Sequence, residues 1–364
     1  MKILLFSYGD YDYDGRLREL MRVFAGLGEL YAFTRGSAPL NGGHELYHGA
    51  GYSGFVRTAV AYGKRLGHVD VLALDNRKAV IPGLLVRTVL RPDVMVQDCR
   101  ELYLPNEVSH LAGKAGCFFE KLGIQQADVL ICANQDRAHF MQELYHLERE
   151  PLVYENLRRL EYSDANARDV QAEKFAGYLH EGEIRLITTS GCSVSRTNDV
   201  LVRNLKKVKQ PCRLFMVGET TVSDRQAIER IISEEELENV EILGKLNQDE
   251  LKYLISMSHI GIVNYHQKDC NNRYCASGKL FEFLYEGLPI VTTTNPPLKR
   301  LCGEYGVGAS DDSYANAVNQ IVSDYPAYQA RVRAFAKAHT VQANNITLRQ
   351  QLQAEIERCL RKTT

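Results

Sequence analysis

Short runs of β-branched and aliphatic residues alternate with stretches of helical period along this chain, and the alternation runs through twice. Parallel strands joined by crossover helices produce that pattern, because parallel neighbours cannot be linked by a tight turn. In the first half, strands are expected at 2–7 (KILLFS), 28–34 (GELYAFT), 70–74 (DVLAL), 93–98 (DVMVQD) and 128–133 (DVLICA). Between them, GRLRELMRVFAGLG and GFVRTAVAYGKRLG place apolar residues at helical spacing with basic residues opposite. Residues 158–183 are polar, contain no strand run and read as a connection between domains, with part of it open to a helical reading. The alternation then restarts at 183–190 (EIRLITTS), 212–219 (CRLFMVGE), 239–245 (NVEILGK), 259–265 (HIGIVNY) and 288–294 (LPIVTTT). The expected fold class is α/β, with two doubly wound Rossmann-like domains facing each other across a cleft. The N-terminal domain is expected to span 1–165, a connection 166–183, and the C-terminal domain 184–340. A final helix at 341–364 is expected to pack back on the N-terminal domain. A length of 364 residues suits two hydrophobic cores better than one.

Composition removes several function classes. With 45% hydrophobic and 24% charged residues the chain reads as soluble and globular, and its net charge of −1 gives no broad grip on nucleic acid. The opening MKILLFSYGD is too short for a secretory core and is read as a buried strand; no stretch is apolar for long enough to span a membrane. Nine cysteines without a C-x-x-C pair point to reduced thiols and a cytoplasmic protein. His266, Cys270 and Cys275 lack zinc-site spacing, so they read as structural and no metal is expected. The basic stretches 203–213 and 57–67 suit either a solvated helix face or attraction to an anionic membrane surface. The second reading would hold the protein peripherally at the inner face of the membrane.

The densest chemistry lies in HIGIVNYHQKDCNNRYCASGKLFEFLYEGLPIVTTTNPP. A strand ends near Asn264 and Tyr265, and Ser277, Gly278 and Lys279 then open a helix. Free amides at a helix start, with a lysine beside them, suit a phosphate or diphosphate. Glu282 falls about one turn further along the same face, where a carboxylate can accept both hydroxyls of a ribose. The same residues also describe an ordinary helix start followed by a solvated Lys–Glu pair. No G-x-G-x-x-G follows a strand in either half, which argues against a nicotinamide enzyme.

GKLFEFLYEGLPIV resembles the donor-site helix of the retaining GT-B glycosyltransferases, the group that includes many bacterial surface-polysaccharide enzymes. VEILGKLNQDELKYLISMSHIGIVNY and RLITTSGCSVSRTNDVL resemble the preceding segments of that family, so the likeness covers about residues 184–308. The resemblance implies that Ser277, Gly278 and Lys279 hold the donor diphosphate, that Glu282 binds the ribose, and that Arg196 neutralises a phosphate oxygen. It implies further donor contacts from Gly15, Gly191 and Tyr274, with Gly244, Lys245 and Leu246 against the nucleobase. In the first half, VDVLALDNRKAVIPGLL and DVMVQDCRELYLPNE are similar to acceptor-side segments of the same family, which would put Asp75, Asn76, Asp98 and Glu101 on the acceptor side. Lys279, Arg196, Asp75 and Glu101 form the implied catalytic set.

Two positions depart from the family pattern. Tyr274 stands where many members carry a second glutamate, and Asp75 where a histidine is frequent. The loop YGDYDYDGRLREL imitates the start of an EF-hand with Asp10, Asp12 and Asp14, but Met21 occupies the glutamate position. It reads instead as a glycine-bounded loop with Gly15 near the donor phosphates and Arg16 at a helix start. Its tyrosines are equally readable as sugar-stacking faces or as plain loop residues. The implied function is transfer of a sugar from a nucleoside-diphosphate donor, UDP-linked by preference, to a glycan, lipid-linked or protein acceptor, with retention. No cofactor is needed beyond the donor as co-substrate. The alternative is a non-catalytic nucleotide-sugar-binding subunit supporting a partner glycosyltransferase.

Overall fold

The computed structural model describes residues 1–37, 39 and 43–363. The chain divides into two compact units: Met1–Asn156 with Asp269–Asn271 and Val341–Thr364, and Leu157–Lys268 with Asn272–Thr340.

The first unit is built on strands β1 (Lys2–Asp10), β2 (Glu29–Arg35), β3 (His44–Tyr47), β4 (Val71–Asp75), β5 (Val94–Cys99), β6 (Val129–Cys132) and β7 (Leu152–Val153). They form one sheet in the order β3-β2-β1-β4-β5-β6-β7, every pair parallel. Alternate residues of a strand face opposite sides, so each sheet face acquires its own core. Ile3, Leu5, Val71 and Ala73 meet the helix Gly15–Ala25 and the helix Val341–Thr363 through Leu348, Leu352 and Ile356. Leu4, Phe6, Leu72 and Leu74 meet Phe55, Ala59 and Val86 from the helices Tyr52–Leu66 and Val80–Leu90. Asp14 caps the helix Gly15–Ala25 by accepting from the Leu17 amide at 2.9 Å.

The second unit repeats the arrangement. Its strands are β8 (Ile184–Thr188), β9 (Cys212–Val217), β10 (Val240–Gly244), β11 (Ile260–Val263), β12 (Ile290–Thr292) and β13 (Gly308–Ser310). They pair in parallel in the order β10-β9-β8-β11-β12-β13. One face packs Ile187, Phe215 and Val263 on Leu254, Phe283 and Leu284; the other packs Leu186, Met216 and Ile262 on Leu201, Ile228 and Ile321. Gly261 in β11 admits Phe283 so closely that a Cβ there would lie 2.3 Å from its ring.

Both units are therefore doubly wound Rossmann-like domains, and ten of the thirteen described strands lie where the alternation predicts them. The other three, β3, β7 and β13, are edge strands of two to four residues. The proposed connection at 166–183 needs correcting. It contains the helix Ala167–Phe175, whose Phe175 is buried in the core of the second unit, and the division falls at Asn156/Leu157. A partly helical stretch is within the sequence reading, but polar composition conceals its place in a core, because only one stripe of it is buried, at Ala167, Gln171 and Phe175. All nine cysteines are free thiols. Among the described residues no helix is long and apolar enough to cross a membrane.

Candidate functional site

In an open parallel sheet, the crevice for a ligand forms beyond the carboxyl ends of the two strands whose crossovers leave in opposite directions. In the second unit these are β8 and β11, paired in register from Ile260 with Leu186 to Ile262 with Thr188. A buried polar network stands at their ends. Ser190 Oγ lies 2.8 Å from Thr188 Oγ1 and donates to Asn264 Oδ1 at 3.2 Å. Asn264 Nδ2 donates to Asn198 Oδ1 at 2.7 Å, and Asn198 Nδ2 donates to the Gly191 carbonyl at 2.7 Å. These bonds hold the two loops in one conformation. Gly191 has φ +60°, and a Cβ on it would lie 2.5 Å from the Glu219 carbonyl oxygen, so only glycine fits the turn.

Above this floor Thr189, Ser190, Arg196, Asn264, Ser277 and Lys279 line a small cavity of about 50 Å³, closed on one side by Tyr265. The Arg196 guanidinium carbon sits 3.9 Å from the centre of the Tyr265 ring. Lys279 is exposed as a residue, yet its ammonium turns inward and donates to the Thr189 carbonyl. Burial, reinforced by the charge of Arg196, pulls this ammonium down to a pKa of about 8. Neither Arg196 nor Lys279 makes an ion pair among the described residues, and Arg196 Nη1 and Thr189 Oγ1 are buried without a hydrogen bond. Two cations share one crevice with no anion between them. Ser277 precedes the helix Gly278–Tyr285 without capping it through its side chain.

Glu282, 3% exposed, points inward one turn along that helix and pairs with Arg158 at 2.9 Å. Burial raises its carboxyl, while Arg158 and then Lys279 pull it back. Arg158 itself is 63% exposed. Sequence reasoning missed Arg158, Asn198 and Asn264. Asn264 ends a strand and Asn198 opens a helix, places where asparagine is ordinarily a turn or cap residue.

Other expected donor contacts are differently placed. The Gly244 carbonyl is occupied by the Gly218 amide at 2.7 Å, and Lys245 forms an exposed pair with Glu219 at 2.7 Å. Leu246 packs on the core of the second unit. The Gly191 amide donates to Val217 O at 2.8 Å, so the glycine shapes the loop and its N–H is not open to a ligand. Tyr274 is half-buried with the Arg273 guanidinium 5.7 Å from its ring centre.

The equivalent crevice of the first unit lies beyond β1 and β4, where Ser7 pairs with Asp75. Its charges are paired with one another. Asp75 accepts from Ser7 Oγ at 2.5 Å and from Arg100 Nη2 at 2.9 Å, while Arg100 Nη1 reaches Asp14 at 2.5 Å. Burial pushes the Asp75 carboxyl up, against the pull of Arg100. Asp98 is 2% exposed and grips Arg16 through both oxygens at 2.9 and 3.0 Å. Arg16 stands at a helix start, as expected, and is a buried partner of Asp98; Asp98 turns inward, outside the pocket that Asp75, Asn76 and Glu101 line, which corrects its expected place on the acceptor side. Glu101 pairs with Arg77 at 3.3 Å. Asn76, at φ +64°, accepts from the Arg77 amide at 2.7 Å. Gly15 is the first residue of its helix and lies in the first unit.

The aspartates of the opening loop are spent locally: Asp10 accepts from the Asp12 amide, Asp12 from the Ser37 amide, and Asp14 from the Leu17 amide. Among the described residues one group of three potential metal ligands stands close together, His68, Asp70 and Asp93, away from both crevices and largely exposed. His266, Cys270 and Cys275 form no such group.

No family model and no curated protein sequence matches the chain. Solved structures do. Sucrose-phosphate synthase from Thermosynechococcus elongatus is similar over 97% of this chain and 98% of its own, at 17% identity and a TM-score of 0.69. Anabaena HepE, solved in complex with UDP and glucose, matches over 97% of this chain and 100% of its own, at 14% identity and a TM-score of 0.71. WaaG, a glycosyltransferase involved in lipopolysaccharide biosynthesis, matches over 95% and 98%, at 14% identity and a TM-score of 0.65. At such identities the likeness is one of fold. The chain has the two-domain GT-B fold that these glycosyltransferases share.

Proposed function

We propose that the protein is a glycosyltransferase that moves a sugar from a nucleoside-diphosphate donor, UDP-linked by preference, to a hydroxyl of a glycan, glycolipid or glycoprotein. The observation that carries this reading is the pair Arg196 and Lys279, two inward-turned cations at the β8/β11 crevice without a carboxylate between them. Two like charges held together cost stability unless an anion joins them, and a diphosphate is an anion of matching charge. Glu282 then takes the ribose hydroxyls once Arg158 moves aside. As the acceptor oxygen bonds to the anomeric carbon, the bond from that carbon to the β-phosphate oxygen breaks. The acceptor's proton passes to the departing diphosphate, and attack on the face it leaves retains the anomeric configuration. Lys279, Arg196 and the amides at Ser277–Gly278 offset the charge growing on the leaving group.

In this reading the cationic crevice does the work of a metal, so transfer persists in EDTA. The setting would be cytoplasmic, at the inner membrane face if the basic helices dock there, and the product a surface polysaccharide or glycoconjugate. A second reading, a binding subunit for a partner transferase, is favoured only by Tyr274, which offers no carboxylate to the donor sugar. Titration with UDP-, GDP- and ADP-sugars by calorimetry, followed by single-turnover assay with radiolabelled donor and envelope extract, separates the two. Binding of a nucleotide sugar with transfer or hydrolysis supports the enzyme. Binding with neither, under every acceptor tried, supports the subunit. Absence of nucleotide binding removes both.

A further inference from the structure

The polar pocket beyond β1 and β4 has a larger neighbour, and the two share a wall. The polar pocket, about 220 Å³, is lined by Ser7, Asp14, Asp75 and Arg100 and bounded by Arg77, Lys78 and Glu101. The same three side chains bound a groove of about 780 Å³. Volumes of that size are typical of sites for small organic ligands. The groove is mainly apolar, with Ile81, Val108, Ala112, Ala115 and Phe119 on its walls and Glu107, Ser109 and His110 among its polar lining.

The helix Leu111–Gln126 explains why. Its residues 117, 120 and 124 are buried in the unit, the face a helix ordinarily spends on a core. Ala112, Ala115, Gly116 and Phe119 lie at i, i+3, i+4 and i+7 on a second face, which lines the groove. At the junction Arg77 holds the wall in place: it pairs with Glu101 at 3.3 Å and lies 5.0 Å from the Tyr103 ring centre. The Lys78 ammonium lies 4.6 Å from the ring centre of Tyr8. A small pocket lined by three carboxylates and three cations therefore adjoins a larger, mainly apolar groove.

We propose that the two pockets are one site for an amphiphile, with a hydroxylated head against Asp75 and Glu101 and a single apolar tail along the groove of helix 111–126. That the head is the sugar acceptor rests on the transferase reading above; that the groove takes an alkyl chain does not. Hydroxyls find carboxylates in the head pocket, and the mainly apolar walls of the groove suit an alkyl chain, although Glu107, Ser109 and His110 are also among its lining.

The sequence contains no tryptophan, so Phe119→Trp in the full chain gives one fluorophore inside the groove. It is titrated with methyl, hexyl and octyl β-D-glucopyranoside below their micellar concentrations. Affinity is expected to rise about fourfold per buried methylene, hence roughly sixteenfold from hexyl to octyl. The methyl glycoside should give no shift in the same range. Adding Ala115→Asp should abolish the alkyl response while leaving UDP affinity unchanged, which certifies the fold; Ala115→Lys provides the same test should the aspartate variant fail to fold. Leu111→Ser, on a residue 85% exposed and outside the groove, should change nothing. Equal responses to methyl and octyl glycosides, an unsaturable signal, or loss of the response with Leu111→Ser would each overturn the proposal. So would a fluorophore that answers phosphatidylglycerol vesicles and ignores monomeric octyl glucoside, since the face would then meet a bilayer. Loss of UDP binding with the alkyl response intact would instead remove the transferase reading and leave the groove.

Discussion

The two crevices share one strand order and differ in how their charges are matched. Beyond β1 and β4, Asp14, Asp75 and Asp98 face Arg16 and Arg100, and the five groups bind one another. Beyond β8 and β11, among the described residues, Arg196 and Lys279 make no ion pair, and the nearby acid Glu282 is drawn off by Arg158. Topology supplies a crevice in both cases. Charge balance separates them: paired ions hold the walls of the first crevice together, and the unmatched cations of the second suit an anionic ligand.

Four measurements would break or sharpen this contrast. The largest effect is expected in the first unit. Arg100→Ala strands Asp75 and Asp14 beside one another, and removal of one partner from a buried ion cluster costs about 3–5 kcal/mol. Denaturant unfolding should report that loss, while the UDP affinity of the folded fraction stays as it was. A variant of native stability would show that these charges are not structural.

In the second unit the order reverses. Lys279→Ala should leave stability nearly intact, since no ion pair is lost, but should reduce turnover about a hundredfold, as for other lost leaving-group stabilisers. Donor binding should fall by much less, because the charge it offsets grows only in the transition state. Equal losses in single-turnover rate and in Kd would take the transition-state role away from Lys279.

Glu282→Ala should weaken UDP by about 1.5–3 kcal/mol, the range for a hydrogen bond to a charged group. Arg158→Ala should act in the opposite sense, because the ribose no longer has to displace it from Glu282. Calorimetry on both variants checks the pair; if both weaken UDP, Arg158 belongs to the ligand and not to its absence.

The smallest effect is on pH. The Lys279 ammonium, ordinarily near 10.5, is lowered to about 8, so it is charged below that value and neutral above it. A diphosphate binds the charged form, which gives a UDP affinity that is flat below pH 8 and falls at most tenfold per unit above it. With Lys279→Ala the slope should vanish. A slope that survives the substitution would belong to another group.

Much of this was legible in the sequence wherever the signal is local. The run SGKLFEFLYEG displays its helix start, lysine and glutamate within a dozen residues, and the ten expected strands announce themselves by their apolar runs. Three edge strands did not: HELY, LV and GAS are strands because a neighbour offers them a ladder, not because their composition asks for one. Nor did the pairing of Glu282 with Arg158, which are 124 positions apart and brought together only by the crossing into the second unit. Asp98 illustrates the converse. Its D-x-x-E-L context suggested a ligand contact, yet burial beside Arg16 turned both oxygens inward.

The helix Val341–Thr363 belongs to the unit that began the chain, so the second unit is, in order of synthesis, an insertion within the first. On a ribosome, the second unit has all its residues as soon as Thr340 has emerged. The first must wait, its sheet face around Val96 and Ile131, beside the helix Gly15–Ala25, only partly covered until Leu348, Leu352 and Ile356 arrive. The half made earliest is thus the half finished last, and its apolar face is the surface a chaperone would have to guard in the interval.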